Sequence, residues 1–151
     1  MKSSIIASVV TDTMTIAARN KANYLAAKQA FNDNDMAACM AFYAEAHQIK
    51  SSPNPAGRAA IQAFLTGVHA MWPGIQLVVE HVVAEHEWVM GRSRARAIHS
   101  ATVFGVAATQ KPIETTFWDL HRFDDDGLIV ETWNLMDGLA ILAQLGRLPS
   151  V

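Results

Sequence analysis

The chain has 151 residues, a formal net charge of −2 and a hydrophobic fraction of 51%. A chain of this length folds most simply as one domain that buries about two thirds of its unfolded surface, so it needs no disulfide or metal staple. The single cysteine, Cys39, excludes an internal disulfide and a cysteine-based zinc site. The lack of any Lys/Arg block argues against nucleic acid or a membrane as partner, and a reducing, cytoplasmic setting suits the lone thiol.

Residues 1–19 read as an N-terminal extension ahead of one domain over 20–151. Their apolar run IIASVV is shorter than a secretory signal requires, and Thr11, Asp12 and Thr13 break the apolar character directly after it. The helical pattern begins at Asn20, with Tyr24, Ala27 and Phe31 on one face. NDND (32–35) breaks it, and Asp35 is the expected cap of a second helix carrying Met36, Cys39, Met40 and Tyr43. A short extended piece over His47–Lys50 leads into the loop SSPNPAG. Ile61, Phe64, Leu65 and Val68 mark a third helix that Pro73-Gly74 ends.

The period then changes from helical to two. Residues 75–84 form an expected strand with Ile75, Leu77, Val79, His81 and Val83 on one face. A long strand over 88–104 comes next, with a bend expected at Gly91. It sets bulky Trp88, Met90, Arg92, Arg94 and Arg96 opposite small Gly91, Ser93, Ala95 and Ala97, and His99 is the sizeable polar group on the small side. Strands over 112–123 and 128–135 flank the DDDG hairpin turn. Asp137 is the expected cap of a last helix that Gly146 stops. Helices first and a mostly antiparallel meander second predict an α+β domain. Helices packed on one face of a curved sheet leave a cone whose open end can hold a ligand.

Phe117, Asp119, His121 and Phe123 share one face of their strand. Asp119 and His121 stand about 7 Å apart along it, close enough to meet one ligand. A carboxylate among those aromatics is expected to have a raised pKa, as a general base requires. His47, His69, His81 and His86 show no metal-ligand spacing, so no metal is expected.

Four segments resemble, in order, the SnoaL-like polyketide cyclase family of the nuclear-transport-factor-like superfamily. They are NDNDMAACMAFYAEA, GRAAIQAFLTGVHAMWPGIQLVVEHVVAE, IHSATVFGVAATQKPIE and FDDDGLIVETWNLMDGLAILAQLG. The resemblance spans about Asn20 to Gly146. It implies a cone-shaped α+β barrel with three N-terminal helices and a short C-terminal helix, a homodimer, and an apolar cavity for a hydrophobic small molecule. It also implies ring closure by aldol condensation without a cofactor. Family cyclases use an aspartate as acid and base, with a histidine and an amide holding the enolate. The aspartate's place falls on Asn134, the histidine's on His99, and a further polar pocket position falls on Asp119.

Neutral Asn134 cannot accept a proton near pH 7. Asp119 is therefore the expected base, with His99 and Asn134 as donors to the enolate oxygen. Phe117, His121, Thr132 and Ile49 are the expected substrate contacts, and Trp133 faces away from the cavity. Two alternatives stay open: a binding protein of the same fold without catalysis, and an epoxide hydrolase or dehydratase. The hydrolase reading lacks the Arg-x-Asp strand element it needs.

Overall fold

A computed structural model describes residues 14–148 apart from Ser52, Asn54 and Pro55. Most of the proposed N-terminal extension, including the apolar run, lies outside the described residues. The first helix, α1 (Ile16–Asn32), starts ahead of the expected Asn20, because the Thr15 hydroxyl accepts from the Ala18 N–H at 3.1 Å and caps it. The second, α2 (Met36–Met40), is a single turn capped by Asp35 as expected.

Tyr43 does not continue that helix. It opens β1 (Tyr43–Ile49), a longer strand than the short extended piece expected at His47–Lys50. The helical spacing of Met36, Cys39, Met40 and Tyr43 misled because all but Met36 are buried, on helix and strand alike. Helix α3 (Arg58–Met71) leads into β2 (Gln76–Glu85) and β3 (Trp88–Ile98). After these come β4 (Pro112–Phe123), β5 (Ile129–Met136) and the short α4 (Gly138–Gln144), whose N-terminus Asp137 caps at 2.9 Å.

The five strands form one curled sheet in the order β1-β5-β4-β3-β2. Only the β1–β5 pair is parallel. This is the expected α+β architecture, with the expected mostly antiparallel sheet. Two strand details differ. A register shift between Val79 and His81 sends His81 and Val83 outward, away from Leu77 and Val79. And β3 ends at Ile98 rather than 104, because its partner β4 begins only at Pro112.

Helix α1 lies across β2 and β3 on the inner face of the sheet, and α3 packs on β1. Close approach depends on the small side chains of β3. A Cβ at Gly91 would fall 1.8 Å from the Tyr24 oxygen, so only glycine lets α1 seat there. Gly91, where the bend was expected, makes this contact. At the far end of α1, the Asn32 amide binds both the N–H and the C=O of Leu77, at 2.8 and 2.9 Å, and covers part of the β2 edge. The core lies between these layers, around Tyr24, Phe31, Ile61, Trp72, Phe123 and Ile129.

Candidate active site

The inner face of the sheet and the helices do not fill the space between them. They leave a cavity of about 270 Å³. Its walls are mostly apolar, with Phe31, Phe64, Leu65, Trp72 and Met136 among them, and exposed Met71 also borders it. A few polar groups interrupt this surface, and those clustered around one carboxylate come from three elements.

Strand β4 supplies Phe117, Asp119 and His121, which the two-residue period aims inward, as expected. Strand β5 supplies Thr132 and Asn134. Antiparallel register sets Asp119 beside Asn134 and His121 beside Thr132. Helix α1 supplies Tyr24 and Lys28, which share a face at the i, i+4 spacing.

Asp119 is the centre of this group and is 3% exposed. Oδ1 accepts a hydrogen bond from the Tyr24 hydroxyl at 2.6 Å. Oδ2 forms an ion pair with the Lys28 ammonium and lies 3.3 Å from His121 Nε2. The Lys28 ammonium also sits near the faces of Tyr24 and Phe117, with ring centroids 5.1 and 5.2 Å away. The chain of contacts continues beyond Asp119. His121 Nδ1 meets Thr132 Oγ1 at 2.9 Å, and the same oxygen meets His47 Nε2 at 2.8 Å. Asn134 Oδ1 accepts from the Ser51 hydroxyl at 2.8 Å, which leaves its amide hydrogens for another partner.

The electrostatics overturn one expectation. Burial pushes the Asp119 carboxyl upward, as anticipated from its aromatic neighbours. The Lys28 ammonium and then His121 outweigh burial and hold it well below the usual carboxylate range. Asp119 is thus an ionised carboxylate in an apolar wall, not a carboxyl with a raised pKa. Burial, reinforced by the neighbouring Asp119 charge, raises the Tyr24 phenol far above its ordinary value, so it donates rather than ionises. Burial lowers His47 to about 4, with His121 adding to the effect, and keeps it neutral.

Of the residues singled out from sequence, Asp119, Asn134, His121, Phe117 and Thr132 border one cavity. His99 and Ile49 do not. Both are buried, but His99 lies just past the end of β3, where its Nδ1 meets the Thr109 hydroxyl at 2.9 Å and its ring lies 6.0 Å from that of Trp72. Ile49 closes β1 within the core. Sequence reasoning missed Lys28 and His47 and took Tyr24 for core alone. Lys28 stands among alanines on a helix, the usual context of a solvated lysine. Only the seating of α1 on the sheet brings it to Asp119. A lysine one turn after a core tyrosine was the available signal. Among the described residues, no group of three or more His, Cys, Asp or Glu is arranged to hold a metal ion.

Solved structures of other proteins share this arrangement of helices and sheet. AclR, a proposed hydroxylase from Streptomyces galilaeus, is 27% identical with a TM-score of 0.78, and 89% of each chain is covered. IdmH, a proposed polyketide cyclase from Streptomyces antibioticus, is 28% identical with a TM-score of 0.73, over 84% of this chain and 98% of that one. A proposed SnoaL-like polyketide cyclase from Jannaschia sp. CCS1 has a TM-score of 0.78 at 19% identity, over 91% of this chain and 99% of that one, and shares the fold. No curated protein matches the sequence significantly. The family model for SnoaL-like polyketide cyclases matches residues 21–145, most of the chain, and with the curled sheet and its inner cavity it makes the protein a member of the SnoaL-like polyketide cyclase family with the nuclear-transport-factor-like fold.

Proposed function

We propose that the protein is an enzyme that takes an apolar, enolisable carbonyl compound into the cavity and moves a proton on it with its own side chains, as cyclisation and isomerisation require. The supporting observation is the ionised Asp119 carboxylate, buried in an apolar wall between a lysine and an amide. A carboxylate has about four lone-pair positions, and Tyr24, Lys28 and His121 occupy three of them, leaving one for a substrate C–H.

In this reading Asp119 removes a proton from the carbon beside the substrate carbonyl. The electron pair of that C–H bond becomes the enolate, and its negative charge collects on oxygen. Lys28 then transfers its hydrogen bond from the newly neutral carboxyl to the enolate oxygen, and the free amide hydrogens of Asn134 donate to the same atom. The lysine that makes Asp119 a weak base at rest stabilises the product of proton transfer, so the cost of the lowered pKa is offset along the reaction. The enolate carbon then attacks a second carbonyl to close a ring, or takes the proton back at another position to isomerise. In both cases the Asp119 proton is returned.

A second reading, binding without turnover, is favoured by one specific feature: a neutral Asn134 stands where family cyclases carry the aspartate. One experiment separates the two. 2-Tetralone is an apolar ketone with acidic α-hydrogens. In heavy water, α-hydrogen exchange is tracked by NMR, and binding by quenching of tryptophan fluorescence. Wild-type protein is expected to accelerate exchange, and Asp119→Asn to lose about a hundredfold or more of that acceleration. Binding of equal strength with no exchange above buffer would select the binder.

A further inference from the structure

We infer that His47, which lies outside the cavity, is a positioning residue that fixes the tautomer of His121 through the hydroxyl of Thr132. A threonine hydroxyl has one hydrogen to give and lone pairs to receive with. Thr132 Oγ1 lies between two imidazole nitrogens, His47 Nε2 at 2.8 Å and His121 Nδ1 at 2.9 Å, and can donate to only one. The far nitrogen of His121, Nε2, faces the Asp119 carboxylate at 3.3 Å, which accepts and cannot donate.

Where His121 carries one hydrogen, on Nε2, its Nδ1 is bare and Thr132 donates there. The lone pair of Thr132 then receives the Nε2–H of His47. Each contact in the row carries one hydrogen, running His47, Thr132, His121, Asp119. The reverse order places a hydrogen on His47 Nδ1, which is buried with no partner among the described residues. His47 is fully buried and neutral, with burial pushing it down to about 4. Its other close neighbour is the Tyr43 ring, met edge-on at 5.1 Å. The row crosses three adjacent strands, β1, β5 and β4, so sheet pairing rather than a mobile loop holds its spacing.

For catalysis this directs the His121 hydrogen onto Oδ2 of Asp119 and leaves the remaining carboxylate position open to substrate. That consequence rests on the role proposed for Asp119. The tautomer itself is read from the protein without turnover, so either idea can fail alone. The full chain, labelled with ¹⁵N in its histidine rings, is studied by long-range ¹H–¹⁵N correlation at neutral pH, which separates protonated from bare ring nitrogens. The wild type is expected to show both His47 and His121 protonated on Nε2 and bare on Nδ1. His47→Gln, whose amide can still donate to Thr132, is expected to keep the His121 pattern. His47→Leu is expected to lower the His121 tautomer ratio about tenfold, the scale of one hydrogen bond. A wild-type His121 with its hydrogen on Nδ1 overturns the inference, as does a folded His47→Leu protein with an unchanged His121 pattern. If the leucine variant does not fold, the wild-type spectrum alone decides.

Discussion

Lys28 and Asp119 are opposite charges taken largely out of water, and the pair behaves differently from its parts. The Asp119 side chain is 2% exposed and the Lys28 side chain 13%. Removing one partner leaves the other buried and unpaired, which costs about 3–5 kcal/mol in comparable pairs. Lys28→Met is expected within that range, because it strands the deeply buried Asp119 carboxylate. Asp119→Leu alone is expected to cost a similar amount. The double variant, with an apolar pair in an apolar wall, is expected to recover most of the loss. Urea denaturation of the four proteins measures this, and additive losses would show that the pair is not coupled. Asp119 was legible as unusual because aspartate is rare in strands. Its pKa direction was not, because that depends on a lysine 91 positions away in sequence. Gly91 illustrates the same limit: its place on the small face was readable, but its contact with the Tyr24 oxygen was not.

Strand β1 shows why some elements were misread and what the misreading concealed. Its partner β5 lies near the far end of the chain, and a parallel pair leaves no local hairpin signal. Strands β2 to β5 meet their neighbours across short turns or a single loop, and their alternation was readable except where the β2 register shifts. With β1 read only from residue 47, His47 was weighed as a metal ligand and not as part of a strand layer. Placing it on β1, against Thr132, gives it a measurable effect on stability. Its folded pKa is depressed to about 4 from an ordinary 6.5, so between those values the unfolded chain binds a proton that the folded chain refuses. Stability is therefore full above about pH 6.5 and falls as pH drops toward 4, with a slope of at most about 1.4 kcal/mol per pH unit from this group. Asp119 acts in a separate window: its depressed carboxyl adds stability above about pH 4 that is lost below it. His47→Gln is expected to flatten the stability curve between pH 6.5 and 4 and leave the steeper loss below pH 4. Urea midpoints at pH 7, 5.5, 4.5 and 3.5 check this. An identical slope in both proteins above pH 4 would mean that His47 is not held neutral by the fold.

At the scale of the molecule, the helices cover one face of the sheet and leave the other bare. The bare face carries Val78, Met90, Trp118 and Leu135, the last 70% exposed, more apolar surface than an isolated domain gains by showing to water. Charges are interleaved with it, three arginines and two glutamates. Glu80 pairs with Arg92 and Arg94, and Glu114 with Arg94 and Arg96 at 3.7 and 2.7 Å. The Arg92 guanidinium lies 5.8 Å from the centre of the Trp118 ring, and the Trp88 and Trp133 rings stand 5.7 Å apart. A surface with both charge signs and central aromatics can face a second copy of itself across a two-fold axis. The homodimer anticipated from sequence thus becomes a specific prediction about this face. Light scattering at tens of micromolar protein is expected to give twice the chain mass of 16.5 kDa. Trp118→Glu places a carboxylate at the centre of the proposed contact while its side chain points away from the cavity, and is expected to yield a folded monomer that retains ligand quenching. A wild-type monomer at that concentration would leave the bare face without a partner. A variant that stays dimeric would move the contact to another surface. If the monomer forms and still binds, the cavity is complete within one chain.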